Sequence, residues 1–118
     1  MTTAHYEGGC QCGAVRYEVD ADLDNTIVCN CSRCQRLGFI LTFASPSDFT
    51  LKSGADSLSS YRFARHMIDH LFCKTCGVQS FARGKRPDGK ELVAINARCL
   101  DGVEPASLSP KAVDGRSF

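Results

Sequence analysis

Eight cysteines in 118 residues constrain this chain more than any other feature. They fall into "CQC" at Cys10 and Cys12, "CNCSRC" at Cys29, Cys31 and Cys34, "CKTC" at Cys73 and Cys76, and a lone Cys99. Cysteines one residue apart are poorly spaced for a disulfide with each other. Residues 1–9 carry no basic start and no apolar run, so no export signal is expected and the thiols are expected to stay reduced in the cytoplasm. Clustered reduced thiols read as soft ligands for zinc.

The rest of the chain narrows the partners. Lys and Arg number 14 against 13 Asp and Glu, a net charge of +1, so nucleic acid is not the expected partner. No apolar stretch approaches the roughly 18 residues of a membrane span. A small-molecule partner is left as the first expectation.

Hydrophobic spacing predicts short strands. Residues 14–20 alternate, with Val15, Tyr17 and Val19 on one face and Arg16, Glu18 and Asp20 on the other. Further strands are expected at 26–28, 39–44, 49–52, 58–63, 67–72, 78–83 and 92–99, separated by turn chemistry such as "RPDGK". One helical turn is expected at 32–37 and another near 103–106, with the remainder after Asp101 irregular. No window shows a long amphipathic helix. The expected fold is mostly β, a single domain over residues 1–118, built as a zinc-pinned sheet or sandwich of short strands.

The cysteines divide by chemistry. "CKTCG" and "CQCG" each end in a glycine that permits the positive φ of a metal-binding turn. Joined across the chain, Cys10, Cys12, Cys73 and Cys76 make a closed structural tetrathiolate. Cys29, Cys31, Cys34 and Cys99 are left. On a strand over 92–99, Cys99 shares a face with Val93, Ile95 and Ala97, which favours core packing; a twist at the strand end would instead make it a fourth ligand. With Cys99 in the core, the second site has three thiolates and one open position, the arrangement of a catalytic zinc. An incoming thiol suits such a soft vacancy. With one position open, this site is expected to hold its ion more weakly.

Taken together, "GGCQCGAVRYEV", "CNCSRCQR" and "FCKTCG" resemble the glutathione-dependent formaldehyde-activating enzyme family, which also includes centromere protein V and shares the Mss4-like fold. The resemblance runs from about Tyr6 to Asp101. It implies a structural zinc on Cys10, Cys12, Cys73 and Cys76 and a catalytic zinc on Cys29, Cys31 and Cys34. It also implies condensation of glutathione with formaldehyde to S-hydroxymethylglutathione, the chemistry of a carbon–sulfur lyase. Family members often carry histidine and arginine where this chain has Asn30 and Gln35.

Glutathione has two carboxylates, so arginine forks are the expected anchors. Arg33, Arg36 and Arg65 are the first candidates, with Arg62 and Arg98 farther along. His66 is a candidate to contact substrate or move a proton, as is His70, though a strand-edge histidine in water is the plainer expectation for either. His5 is expected to be exposed. The rival function classes are a zinc module that binds a thiol adduct or a protein without turnover, and a scaffold with two closed zincs in which Cys99 is a ligand.

Overall fold

The alternation after the first cysteine pair becomes a buried strand. The computed structural model describes residues 3–63 and 67–117. In it Val15, Tyr17, Val19 and Ala21 are buried, while Asp20 is exposed. Strand β1 (Thr3–Gly9) pairs antiparallel with β2 (Arg16–Asp22), in register from Thr3 opposite Asp22 to Gly9 opposite Arg16. Its Thr3–Glu7 part has a single half-buried side chain, Tyr6, so apolar spacing gave no sign of it. A third strand, β5 (Phe49–Ser53), pairs with the other edge of β2 and completes a three-stranded sheet.

The second sheet takes β3 (Ile27–Cys29), β4 (Leu41–Ala44), β6 (Leu58–Tyr61), β7 (Ile68–Cys73), β8 (Phe81–Lys85), β9 (Glu91–Asn96) and β10 (Lys111–Val113). Their order across the sheet is β10-β3-β4-β9-β8-β7-β6. Strand β10 runs parallel to β3, with Lys111 beside Ile27 and Val113 beside Cys29. The expectation of an irregular tail is therefore corrected there. Helix α1 (Ser32–Leu37) lies between β3 and β4, over the residues expected for a helical turn. The turn expected at 103–106 lies at Pro105–Ser107, where the Glu104 side chain accepts from the Ala106 N–H.

The two sheets meet on aromatic rings. Tyr17 from β2, Phe49 from β5 and Phe81 from β8 form a triangle with centroids 4.8 to 5.6 Å apart. Burying each such ring contributes about 1.5–3 kcal/mol, with a further contribution from the ring pairs. The Tyr17 hydroxyl donates to the Ser80 carbonyl at 3.0 Å, so the most buried tyrosine leaves no polar atom unmet. Around the triangle sit Val15, Val19, Val93 and Ile95.

The strand expected over 92–99 ends early. Asn96 turns its side-chain oxygen back to accept the Arg98 N–H at 3.2 Å, and Ala97–Cys99 becomes a 3₁₀ turn. A side chain that caps its own backbone competes with the ladder, and here it wins. Cys99 therefore does not continue the Val93, Ile95 face. Ala97 stays buried, Cys99 is half-buried, and Arg98 swings outward.

Candidate metal centres

The first centre gathers Cys10, Cys12, Cys73 and Cys76, whose sulfurs all lie within 4.8 Å of one another. Cys10 follows β1 and Cys73 closes β7, so the cluster ties the edge of one sheet to the other. The separations of Cys10 from Cys12 and of Cys12 from Cys73 are both 3.6 Å. Tetrahedral zinc with bonds of about 2.3 Å sets its sulfurs roughly 3.8 Å apart, so the cage has the right size. Backbone N–H groups point at the sulfurs: Val15 donates to Cys10 at 3.3 Å and Thr75 to Cys73 at 3.4 Å. N–H groups of Val78 and Cys12 hold the Cys76 thiol down to about 6, which favours the ligating thiolate. The glycines after each half-site do adopt positive φ, 84° at Gly13 and 79° at Gly77.

The second centre gathers Cys29, Cys31 and Cys34, again within 4.8 Å. Cys29 ends β3, Cys31 caps α1, and Cys34 lies buried in its first turn. The Cys31 N–H donates to Cys29 Sγ at 3.5 Å and the Cys34 N–H to Cys31 Sγ at 3.3 Å. Burial, and then the neighbouring Cys31, push the Cys34 thiol far above its ordinary value. Sulfurs crowded in this way resist joint ionisation until a cation balances them, which fits a site made for a divalent metal. Among the described residues no fourth histidine, cysteine or carboxylate joins this group.

Cys99 stands elsewhere. Its sulfur is 4.0 Å from the Gln79 carbonyl. Burial first, and then the charges of Cys10 and Cys76, push its thiol up to about 11. It is thus a neighbour of the first centre rather than a member of the second.

One wall of the second centre was not foreseen. The segment after β10 folds over Cys29 as a strap, 113–117. Asn30 holds it three times: its N–H donates to the Val113 carbonyl at 3.3 Å, its Nδ2 to Asp114 Oδ1 at 2.9 Å, and its Oδ1 accepts the Arg116 N–H at 2.9 Å. Arg116 Nη2 also donates to Gln35 Oε1 at 2.7 Å. At Gly115 a Cβ would stand 2.2 Å from Cys29 Sγ, so any side chain there would have to displace that sulfur. The Asp114–Gly115 pair is a turn signal that would have marked the bend.

Beside the strap the cluster opens into a groove of about 550 Å³. Cys29 and Cys34 line it, with Phe39, Val113, Arg98 and Asp114. The volume lies within the range of small-molecule sites, about 300–1,000 Å³.

The other candidates are dispersed. Arg33 donates to Gln79 Oε1 through Nε at 3.2 Å and Nη2 at 2.7 Å, and its guanidinium lies 5.0 Å over the Tyr61 ring. Arg36 donates to the Ser32 carbonyl of its own helix at 3.0 Å. Arg62 pairs with Asp69. His70 is buried and stacks on Phe63 at 5.1 Å, which corrects its placement at a wet strand edge. His5 is exposed, with Asp20 at 2.9 Å. Arg65 and His66 lie outside the described residues.

Residues 5–114 match a family described as glutathione-dependent formaldehyde-activating enzyme. The crystal structure of a Rhodobacter sphaeroides protein, solved as a structural genomics target, is similar: 34% identical, with a TM-score of 0.80, covering 90% of this chain and 97% of that one.

Proposed function

The chain belongs to the glutathione-dependent formaldehyde-activating enzyme family, and on that premise we propose that it is a zinc-dependent carbon–sulfur lyase that joins glutathione to formaldehyde. The observation that carries this reading is the three-sulfur cluster, Cys29, Cys31 and Cys34, opening onto a groove. Zinc bound there would supply Lewis-acid chemistry and a position for a visiting sulfur. Cys29, Cys31 and Cys34 would hold the ion, and the backbone N–H groups of residues 31 and 34 fix two of those sulfurs. The strap shields Cys29 from one side, and the groove admits the thiol from another. In the reaction the substrate sulfur bonds to the aldehyde carbon, the carbonyl becomes a hydroxyl, and the thiol proton ends on that oxygen. Nothing is oxidised or reduced. Cys10, Cys12, Cys73 and Cys76 would hold another ion, in the first centre, in a closed structural role. Unpaired ligand thiols suit a reducing compartment, so the cytoplasm is the proposed location.

The test is zinc K-edge absorption of the two-zinc protein with and without glutathione, beside a rate measurement corrected for the uncatalysed condensation. The sulfur count per zinc is expected to rise on adding glutathione, with formation of S-hydroxymethylglutathione above background. An unchanged zinc environment overturns the proposal. A gain in sulfur without any rate makes the protein a thiol-binding module.

A further inference from the structure

We infer that Arg98 is the anchor for the substrate's carboxylate, and that the groove beside the second centre selects thiols that carry one. This rests on the function proposed above and names the residue that would give it specificity. Most exposed arginines are simply solvated, so the inference needs more than a positive charge near a site. Three observations supply it.

The first is position. Arg98 lines the same groove as Cys29 and Cys34, so a ligand whose sulfur sits at the cluster lies in an open groove that this guanidinium also borders. Arg33, Arg36 and Arg62 do not line it.

The second is preorganisation. Arg98 Nε donates to the Gly38 carbonyl at 2.9 Å, at the end of α1. That bond fixes the plane of the guanidinium and leaves its two terminal nitrogens without a partner among the described residues. A planar pair of N–H donors is the fork that binds a carboxylate through two parallel bonds. Arg33 has its donors on Gln79, Arg62 is paired with Asp69, and Arg36 is bonded to its own helix. The 3₁₀ turn that ends β9 early is what delivers Arg98 to α1. Had the strand run on to Cys99, residue 98 would have stood on the sheet.

The third is charge. Among the described residues lining the groove, Arg98 is the one cation and Asp114 the one anion. Asp114 accepts from the Ser117 hydroxyl at 2.6 Å and from Asn30 Nδ2 at 2.9 Å, and these bonds, the Ser117 one first, hold its carboxyl below the ordinary range. A purely anionic ligand would meet repulsion there. A thiol with a carboxylate for Arg98 and an ammonium tolerated near Asp114 matches both, and glutathione has that mixture of groups. Apolar Val28, Phe39 and Val113 also line the groove, which suits the methylene groups of a small peptide.

The test compares two thiols by calorimetric titration on wild type, Arg98→Ala and Arg98→Lys. The thiols are glutathione and N-acetylcysteamine, which has no charge. Zinc content and melting temperature confirm that each variant is folded and loaded. The preference for glutathione over the neutral thiol is expected to fall roughly tenfold in Arg98→Ala, the scale of losing one charge-assisted pair. Arg98→Lys is expected to recover only part of it, because lysine has neither the fork nor the Nε bond to Gly38. If both thiols weaken by the same factor, Arg98 merely supports the end of α1 and the inference falls. If the preference is kept in Arg98→Ala, the carboxylate is bound elsewhere and the inference also falls, while thiol binding itself stands. If wild type binds neither thiol, the lyase reading fails and takes this one with it.

Discussion

At the scale of single residues the two centres are expected to respond differently to the same substitution. Cys76→Ser removes a ligand from the closed centre, whose metal binding contributes on the order of 10 kcal/mol. That rivals the roughly 5–15 kcal/mol by which a whole domain is stable. The variant is expected to lose cooperative unfolding in circular dichroism and to retain little zinc. Cys31→Ser is expected to stay folded with one zinc, and Cys99→Ser to keep two, because Cys99 belongs to neither cluster. His70 makes a separate prediction. Burial first, and then the charge of Arg33, hold its imidazole below the ordinary value, with Asp69 pulling weakly the other way. Unfolded, the ring takes up a proton near about 6.5. As pH falls below that value the unfolded state binds a proton that the folded state refuses, so stability is lost until the folded value is passed. Wild type is therefore expected to lose more melting temperature between about pH 7 and pH 5.5 than His70→Phe. The grouping of seven cysteines as a four and a three followed from their spacing and the family resemblance, while the place of Cys99 stayed open until the fold was known. The burial of His70 under Phe63 and the charge of Arg33 upon it could not be read from the sequence, because they depend on how the chain folds back on itself.

At the scale of elements, alternation was a good guide wherever the backbone ladder had no rival. It located β2 through Tyr17 and Val19 and β9 through Val93 and Ile95. It overran the end of β9, because Asn96 offers its own side chain to the backbone and stops the ladder there. It missed β10 because three residues with exposed Lys111 and Ala112 carry no period; that strand exists only because β3 is there to pair with it. Of the strap, only the bend at Asp114–Gly115 had a signal in the sequence; its closure over Cys29 had none. Its anchors Asn30 and Gln35 both belong to the second cysteine group, and both bond to Arg116 of the strap. Asn30→Ala deletes both side-chain bonds to it. The substitution is expected to weaken metal binding at the second centre roughly tenfold, as loss of a supporting bond near a metal commonly does. Competition with a chromophoric chelator measures this, and the first centre should be unaffected. Equal loss from both centres, or none, would sink the assignment of the strap as a support for Cys29.

At the scale of the molecule, two sheets and two cysteine clusters divide the labour. The Tyr17, Phe49 and Phe81 triangle joins the sheets, and the first cluster rivets their edge. The second cluster lies between α1 and the β3–β10 pair, with a groove open beside it. The mostly β architecture was readable from turn chemistry and short apolar runs. The sheet order was not, since it depends on which distant strands find each other. The strap has one more consequence, for a chain that leaves the ribosome from its first residue onward. Cys29, Cys31 and Cys34 emerge some eighty residues before Gly115, the backbone that covers Cys29. During synthesis that trio stands bare to oxidants and to stray copper until Gly115 has been made and folded over it.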